Sequence, residues 1–208
     1  MKHAKKSKRK ANDFYPTPQW CTAILAKFLV EVQVRNVVPD LVCICDVGAG
    51  DGRIGVTSAT AFKASRKQLV CIDIKNPPSS KLSKHWITSD FLQVNLSTLF
   101  SNNTALKVYV SNPPYSLSNA IVIKTIKHML ARDHTAIAAF LLRINWLGSK
   151  ARYTFLKEHP PRKMIAMSPR PSFTGKGTDM TEYAWFVWAT PSLKVGKPIV
   201  VANKLEVT

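Results

Sequence analysis

Apolar positions fall into short, nearly unbroken runs separated by stretches with helical spacing. Leu41-Val42-Cys43-Ile44-Cys45, Gln68-Leu69-Val70-Cys71-Ile72 and Leu106-Lys107-Val108-Tyr109-Val110 are rich in strand formers and bounded by turn residues. Runs of that length without a polar face mark strands covered on both sides. The pattern predicts strands over about 41–47, 68–74, 85–88, 106–111, 135–145, 163–167 and 182–189. Between them, helical spacing predicts helices over about 53–65, 117–132 and 149–158. A first helix, capped by Thr17 with Pro18 at its first position, is expected to run to about Val34. Strands alternating with helices imply an α/β fold. The sheet would be mostly parallel and seven-stranded, with helices on both faces and ligand sites outside the carboxyl ends of its strands. The sequence gives no sign of an internal repeat or a second domain.

Two of the predicted strands end in turns that carry chemistry. After the first comes Asp46-Val47-Gly48-Ala49-Gly50-Asp51-Gly52-Arg53. Its glycines permit positive φ and close backbone approach, which lets the first strand-to-helix turn of such a sheet admit a nucleotide-like ligand. The spacing is G-x-G-x-G and not the dinucleotide G-x-G-x-x-G. Asp46 and Asp51 beside it would repel a pyrophosphate and suit a cation such as an ammonium or a sulfonium.

The strand at 106–111 runs into Asn112-Pro113-Pro114-Tyr115. Each Pro fixes φ and pushes the preceding residue toward extended conformations. The Asn112 side chain and the Pro113 carbonyl can therefore face one point as two acceptors, with the Tyr115 ring beside them. That set suits a planar group bearing an exocyclic NH2. Hydrogen bonds to both of its N–H groups help a delocalised amino nitrogen pyramidalise toward an electrophile. Taken alone, the tetrapeptide reads equally well as a Pro-rich turn after a buried strand.

Three further segments accompany these two motifs. Asp13-Phe14-Tyr15-Pro16-Thr17-Pro18-Gln19-Trp20 stands near the start. Arg170-Pro171-Ser172-Phe173-Thr174-Gly175-Lys176-Gly177-Thr178-Asp179 and then Tyr183-Ala184-Trp185-Phe186-Val187-Trp188 stand near the end. In this order the set resembles the S-adenosylmethionine-dependent methyltransferases that modify amino groups of nucleic acids, and more closely the small DNA adenine methylases of phages and prophages. The resemblance spans about residues 13 to 190. It implies a single-domain Rossmann-like methyltransferase fold with an antiparallel last strand, S-adenosylmethionine as cofactor, and N6 of adenine in DNA as acceptor.

On that resemblance, Asn112, Pro113, Pro114 and Tyr115 form the catalytic motif, and Asn112 also borders the cofactor. Asp46, Gly48, Ala49 and Gly50 form the turn beside the cofactor, while Tyr15, Thr17 and Pro18 hold its methionine carboxylate. Asp73 accepts from the ribose hydroxyls, with Ile74 against the adenine ring. Asp90 accepts from the cofactor's adenine amino group, with Phe91 beside the ring. Each acid alone could equally be a helix cap or a solvated loop residue. In duplex DNA the target base must be extruded from the stack. Tyr115 would stack on it, Phe173 would form the opposite wall, and Arg143, Arg170 and Lys176 would complete the substrate side.

Transfer from a sulfonium needs an aligned, desolvated amino nitrogen and no strong general base. That agrees with the five His residues, at 3, 85, 128, 134 and 159, forming no catalytic constellation.

Composition narrows the partners. The formal charge is +18, from 30 Lys+Arg against 12 Asp+Glu, which favours a polyanion. Between Arg143 and Lys176 stand eight Lys/Arg and one acidic residue, Glu158. Residues 1–12 read as a basic arm expected to be disordered, either a nucleic-acid contact or a solubilising tail, and residues 13–208 as the methyltransferase domain. No long apolar span or signal peptide is visible, so we expect no membrane partner and a cytoplasmic location, in a host cell if the chain is phage-encoded. Cys21, Cys43, Cys45 and Cys71 read as small core residues of a reducing compartment, and no metal site is expected.

Four alternatives stay open at this level. RNA adenines and protein glutamine amides also present an NH2. Cytosine N4 is a further acceptor, although that subfamily more often has Ser where Asn112 stands. A non-catalytic nucleic-acid-binding protein could also keep the fold. No separate target-recognition domain fits between the motifs, so low or short-motif specificity is expected.

Overall fold

The computed structural model describes residues 15–36, 39, 41–62, 66–79, 82, 85–100, 105–175 and 177–207. The basic arm, Asp13, Phe14 and Lys176 lie outside these. Among the described residues, the helices α1 (Gln19–Arg35), α2 (Arg53–Ala61), α3 (Ser118–Arg132) and α4 (Tyr153–Glu158) alternate with eight strands. The strands are β1 (Leu41–Val47), β2 (Arg66–Asp73), β3 (Trp86–Thr88), β4 (Leu106–Ser111), β5 (Ala136–Arg143), β6 (Lys163–Ser168), β7 (Tyr183–Ala189) and β8 (Ile199–Asn203).

They form one sheet in the order β3-β2-β1-β4-β5-β7-β6-β8. Every neighbouring pair is parallel except those made by β7, which runs antiparallel to both β5 and β6. The strand order changes direction between the parallel neighbours β1 and β4, the switch point at which a crevice opens outside the carboxyl ends of such strands.

The apolar runs form central strands because alternate side chains enter two different layers. On one face, Val42, Ile44, Leu106, Val108 and Val110 pack with Leu25, Phe28 and Leu29 of α1 and Ile54 of α2. On the other, Cys43, Cys45, Tyr109 and Phe140 pack with Ile121, Val122, Ile126 and Met129 of α3. Trp185 on β7 donates its indole N–H to the Cys21 carbonyl at 2.9 Å, tying α1 to the sheet. The four cysteines are buried and unpaired. A buried ion pair closes the far end of β4, with Lys107 Nζ 2.7 Å from Asp133 Oδ1 and the Tyr109 hydroxyl donating to Asp133 Oδ2 at 2.9 Å.

Four expectations are corrected. The sheet has eight strands and not seven. The reversed strand at 183–189 is therefore not the last, because β8 adds at the edge, parallel to β6. Only Ala202 of β8 is buried, while Ile199 and Val201 are 68% and 69% exposed, so the strand lacks the covered pattern that betrays central strands. The first helix begins at Gln19 with Pro18 as its N-cap and no side-chain cap bond, so Thr17 does not cap it. The helix expected from 149 begins at Tyr153, after two short 3-10 turns at Ile144–Gly148 and Lys150–Arg152. Among the described residues no helix is long and apolar enough to cross a membrane.

Candidate active site

The motifs meet at the carboxyl ends of β1, β2, β3 and β4. The turn after β1 is left-handed at Gly48, Gly50 and Gly52, with φ of 63°, 60° and 76°, which disfavours any side chain there. A Cβ on Gly48 would lie 3.7 Å from Pro114 Cδ, so the glycine turn and the Asn-Pro-Pro-Tyr turn abut. Ser111 Oγ donates to the Val47 carbonyl at 2.5 Å and joins the two strand ends.

The Tyr15–Pro18 segment is held between these turns. Arg53, at the start of α2, donates from Nη1 to the Thr17 carbonyl at 2.8 Å and pairs with Asp51 at 2.6 Å. From the other side, Asn112 Nδ2 donates to Thr17 Oγ1 at 3.0 Å and to the Tyr15 carbonyl at 3.4 Å. A backbone carbonyl can only accept, so these contacts fix which end of the amide is NH2. The Asn112 carbonyl oxygen is left without a donor among the described residues, as is the Pro113 carbonyl. Thr17 is buried, and its hydroxyl serves Asn112 instead of the helix.

Asp73 closes β2 beside the same turn. Its Oδ2 accepts from the Gly50 N–H at 2.8 Å and its Oδ1 from the Lys75 N–H at 2.9 Å. Ile74 is half exposed next to it. The Ser89 N–H donates to the Asp73 carbonyl at 2.8 Å, which brings the exposed Asp90 alongside. Phe91 is buried in the apolar layer beneath.

Asp46 lies behind the glycine turn, 1% exposed, with Oδ2 accepting from the Gly55 N–H at 2.7 Å. Its Oδ1 is buried with no partner among the described residues. Burial pushes its carboxyl up to about 8; the Gly55 bond opposes the rise, and the charges of Asp51 and Asp73 add to it. A cation held at this turn would offset that cost. Asp51 already has its partner in Arg53 and is not open to a ligand in the same way.

A cavity of about 310 Å³ is lined by Tyr15, whose carbonyl accepts from Asn112, and by Tyr115, Arg143, Phe173, Asp179 and Met180, among others. The Arg143 guanidinium lies 4.2 Å from the centroid of the Tyr115 ring. It covers one face of that ring. The Tyr115 and Tyr183 hydroxyls are hydrogen-bonded. Tyr183 in turn donates to Asp179 Oδ2 at 2.8 Å and accepts from Arg143 Nε at 3.0 Å. Phe173 packs on Tyr183 with ring centroids 4.9 Å apart.

The structure therefore brings Tyr15, Thr17, Pro18, Asp46, Gly48, Ala49, Gly50, Asp73, Ile74, Asp90, Asn112 and Tyr115 together at the carboxyl ends of the central strands, with Tyr15, Tyr115, Arg143 and Phe173 in the cavity wall and Phe91 buried beneath. Arg170 is not in the cavity wall; its Nη1 donates to the Met180 carbonyl at 3.2 Å and braces the loop. Arg53, Ser111, Asp179 and Tyr183 were not singled out from sequence. Asp179 and Tyr183 did stand inside the quoted segments, and Arg53 ends the glycine motif.

No family model and no curated protein matches the sequence. Solved structures do match the fold. A putative class I S-adenosylmethionine-dependent methyltransferase from Listeria monocytogenes superposes with a TM-score of 0.63 at 15% identity, over 90% of this chain and 65% of that one. The methyltransferase subunit of a type I restriction-modification system from Streptococcus thermophilus gives 0.60 at 12% identity, over 91% and 47%. A putative RNA methyltransferase from Pyrococcus horikoshii gives 0.52 at 9% identity, over 86% and 90%. The chain thus spans about two thirds and about half of the length of the first two. At these identities the likeness is one of architecture, and the chain has the Rossmann-like fold of class I methyltransferases, a mostly parallel sheet with one reversed strand and helices on both faces.

Proposed function

We propose that this chain transfers a methyl group from S-adenosylmethionine to N6 of adenine in DNA. The observation that carries the proposal is the state of Asn112: its NH2 is engaged by Thr17 and Tyr15, which turns a free carbonyl oxygen, next to the Pro113 carbonyl, into a fixed acceptor. Two such acceptors beside an aromatic ring suit a planar amino group, whose two N–H bonds they would hold while its nitrogen lone pair is directed at an electrophile.

The crevice also fits the cofactor. The orphaned Asp46 oxygen favours a cation at the glycine turn, and Asp73 retains further acceptor capacity at the end of β2. We assign Gly48, Ala49, Gly50, Tyr15, Thr17 and Pro18 to the methionine part, Asp73 and Ile74 to the ribose and adenine, and Asp90 to the adenine amino group. When bound, S-adenosylmethionine supplies a methyl group already activated by its positive sulfur. The chain's own residues then have to orient and desolvate the acceptor. Asn112 and Pro113 hold the amino group, Tyr115 stacks on the base, and Phe173 contributes to the wall of the cavity. The product's proton passes to water, since attack on a sulfonium methyl needs no strong general base.

The charge of +18 supports a nucleic-acid acceptor, and the likeness of the Tyr15–Pro18 and Arg170–Gly177 segments to DNA adenine methylases supports DNA. The test is methyl transfer from labelled cofactor to duplex DNA, single-stranded DNA, RNA and protein, followed by nucleoside and peptide mass spectrometry. N6-methyladenine in DNA alone is expected. Label in RNA adenine, cytosine N4 or glutamine would replace the acceptor, and label in none of them would overturn the enzyme reading.

A further inference from the structure

Lys124 sits in the middle of α3, outside every motif. Its Nζ donates to three backbone carbonyls, those of Phe91 at 2.9 Å, Leu92 at 2.8 Å and Val94 at 2.7 Å. An ammonium has three protons and no acceptor, so this geometry uses all of them. The three carbonyls belong to the single 3-10 turn Phe91–Gln93 and the residue that closes it; that of Phe91 also accepts from the Val94 N–H at 3.1 Å, and no continuing helix follows to supply further donors. The same Nζ lies 5.2 Å from the centroid of the Phe91 ring.

The other end of that turn is held by Asp90, whose Oδ1 accepts from the Leu92 N–H at 2.9 Å. Asp90 is exposed, and its second oxygen has no donor among the described residues. The turn is therefore pinned at its amides by Asp90 and at its carbonyls by Lys124, with Ser89 anchoring it to Asp73. Burial lowers the Lys124 pKa, while the nearby Asp90 charge raises it. The helix that carries Lys124 begins directly after the Asn-Pro-Pro-Tyr turn, where Ser118 Oγ donates to the Tyr115 carbonyl at 3.0 Å.

From this geometry we propose that Lys124 is a positioning residue that aims the free Asp90 oxygen at the cofactor's adenine amino group, so that selectivity for that group depends on a lysine that does not touch the cofactor. The inference rests on the cofactor assignment above and on nothing about the methyl acceptor. A general structural role would lower affinity for every cofactor-like ligand alike. A positioning role lowers it only for ligands that present the amino group.

Calorimetry on the full chain without nucleic acid separates the two, using S-adenosylhomocysteine and S-inosylhomocysteine, in which a carbonyl replaces the adenine amino group. Wild type should prefer the adenosyl ligand by about tenfold or more, as one hydrogen bond to a carboxylate warrants. Lys124→Gln should bring that ratio to within about threefold, with affinity for the inosyl ligand within about threefold of wild type. Asp90→Asn should lose the preference in the same way. An unchanged ratio in Lys124→Gln, or an equal loss for both ligands, overturns the inference, as does a wild type with no preference. Wild type that binds neither ligand removes the cofactor assignment itself. If Lys124→Gln does not fold, amide hydrogen exchange of wild type over residues 92–95 serves instead. Stronger protection with the adenosyl than with the inosyl ligand supports the inference, and equal protection overturns it.

Discussion

Replacing Asp46 with Asn should remove much of the pH dependence of folding stability between pH 5 and pH 7. The carboxyl is 1% exposed and keeps one oxygen without a partner, and burial raises its pKa from 3.8 to about 8. The folded chain then holds the Asp46 proton more tightly than the unfolded chain does. Its contribution is complete below about pH 4 and is lost as pH rises toward 8, because ionising the group in the fold costs what ionising it in water does not. For one such group the slope is about 1.4 kcal/mol per pH unit, so wild type should lose about 2–3 kcal/mol between pH 5 and 7 from this residue.

Asp46→Asn keeps an oxygen for the Gly55 N–H and cannot titrate. Urea unfolding of both proteins at pH 5, 6 and 7 gives the slopes, and every other titrating group cancels in the difference. Parallel pH profiles would mean that Asp46 is ionised across this range and that its burial does not raise its pKa. The same reasoning gives a ligand-linked effect. A cationic cofactor at the turn should drive the proton off Asp46 near pH 7, so its binding heat should vary with the ionisation heat of the buffer in wild type and less in Asp46→Asn.

Asn112→Ala should cut methyl transfer by about 10²–10³-fold or more, while cofactor affinity, measured by calorimetry, changes by less than about tenfold through the lost bond to Thr17. A larger loss of affinity would make Asn112 a cofactor residue first. Asp73→Ala should weaken cofactor binding by about 1–3 kcal/mol, because it leaves the Gly50 and Lys75 N–H groups and the ribose hydroxyls without an acceptor; an unchanged dissociation constant would move the ribose contact elsewhere. Asp133→Ala strands Lys107, whose side chain is 8% exposed, without its counter-charge. It should cost about 3–5 kcal/mol in urea unfolding, and a cost under about 1 kcal/mol would mean that the ion pair does not hold this end of the sheet.

The sequence made the central strands and both turns legible for a physical reason. β1 and β4 are covered on both faces, so their residues are nearly all apolar, and the glycine and proline turns that follow have few conformational alternatives. β8 was invisible because an edge strand needs only one buried side chain, here Ala202, and shows Ile199 and Val201 to solvent. The site was legible to the extent that each motif lies in one stretch of chain. What could not be read is how the stretches bond to one another. Thr17 looks like a helix cap because its neighbours suit one, yet its hydroxyl is taken by Asn112, 95 residues away. Arg53 to Thr17, Lys124 to the turn after Asp90, and Tyr183 to Tyr115 are likewise contacts that only the folded sheet creates.

The central claim is that the Asn112 and Pro113 oxygens hold an adenine amino group for methylation. The most direct test is nucleoside mass spectrometry of duplex DNA incubated with the purified chain and methyl-labelled S-adenosylmethionine, with Asn112→Ala in parallel. Labelled N6-methyladenine from wild type and background from Asn112→Ala is the expected result. Labelled N4-methylcytosine, label confined to RNA or protein, or equal label from both proteins would contradict it.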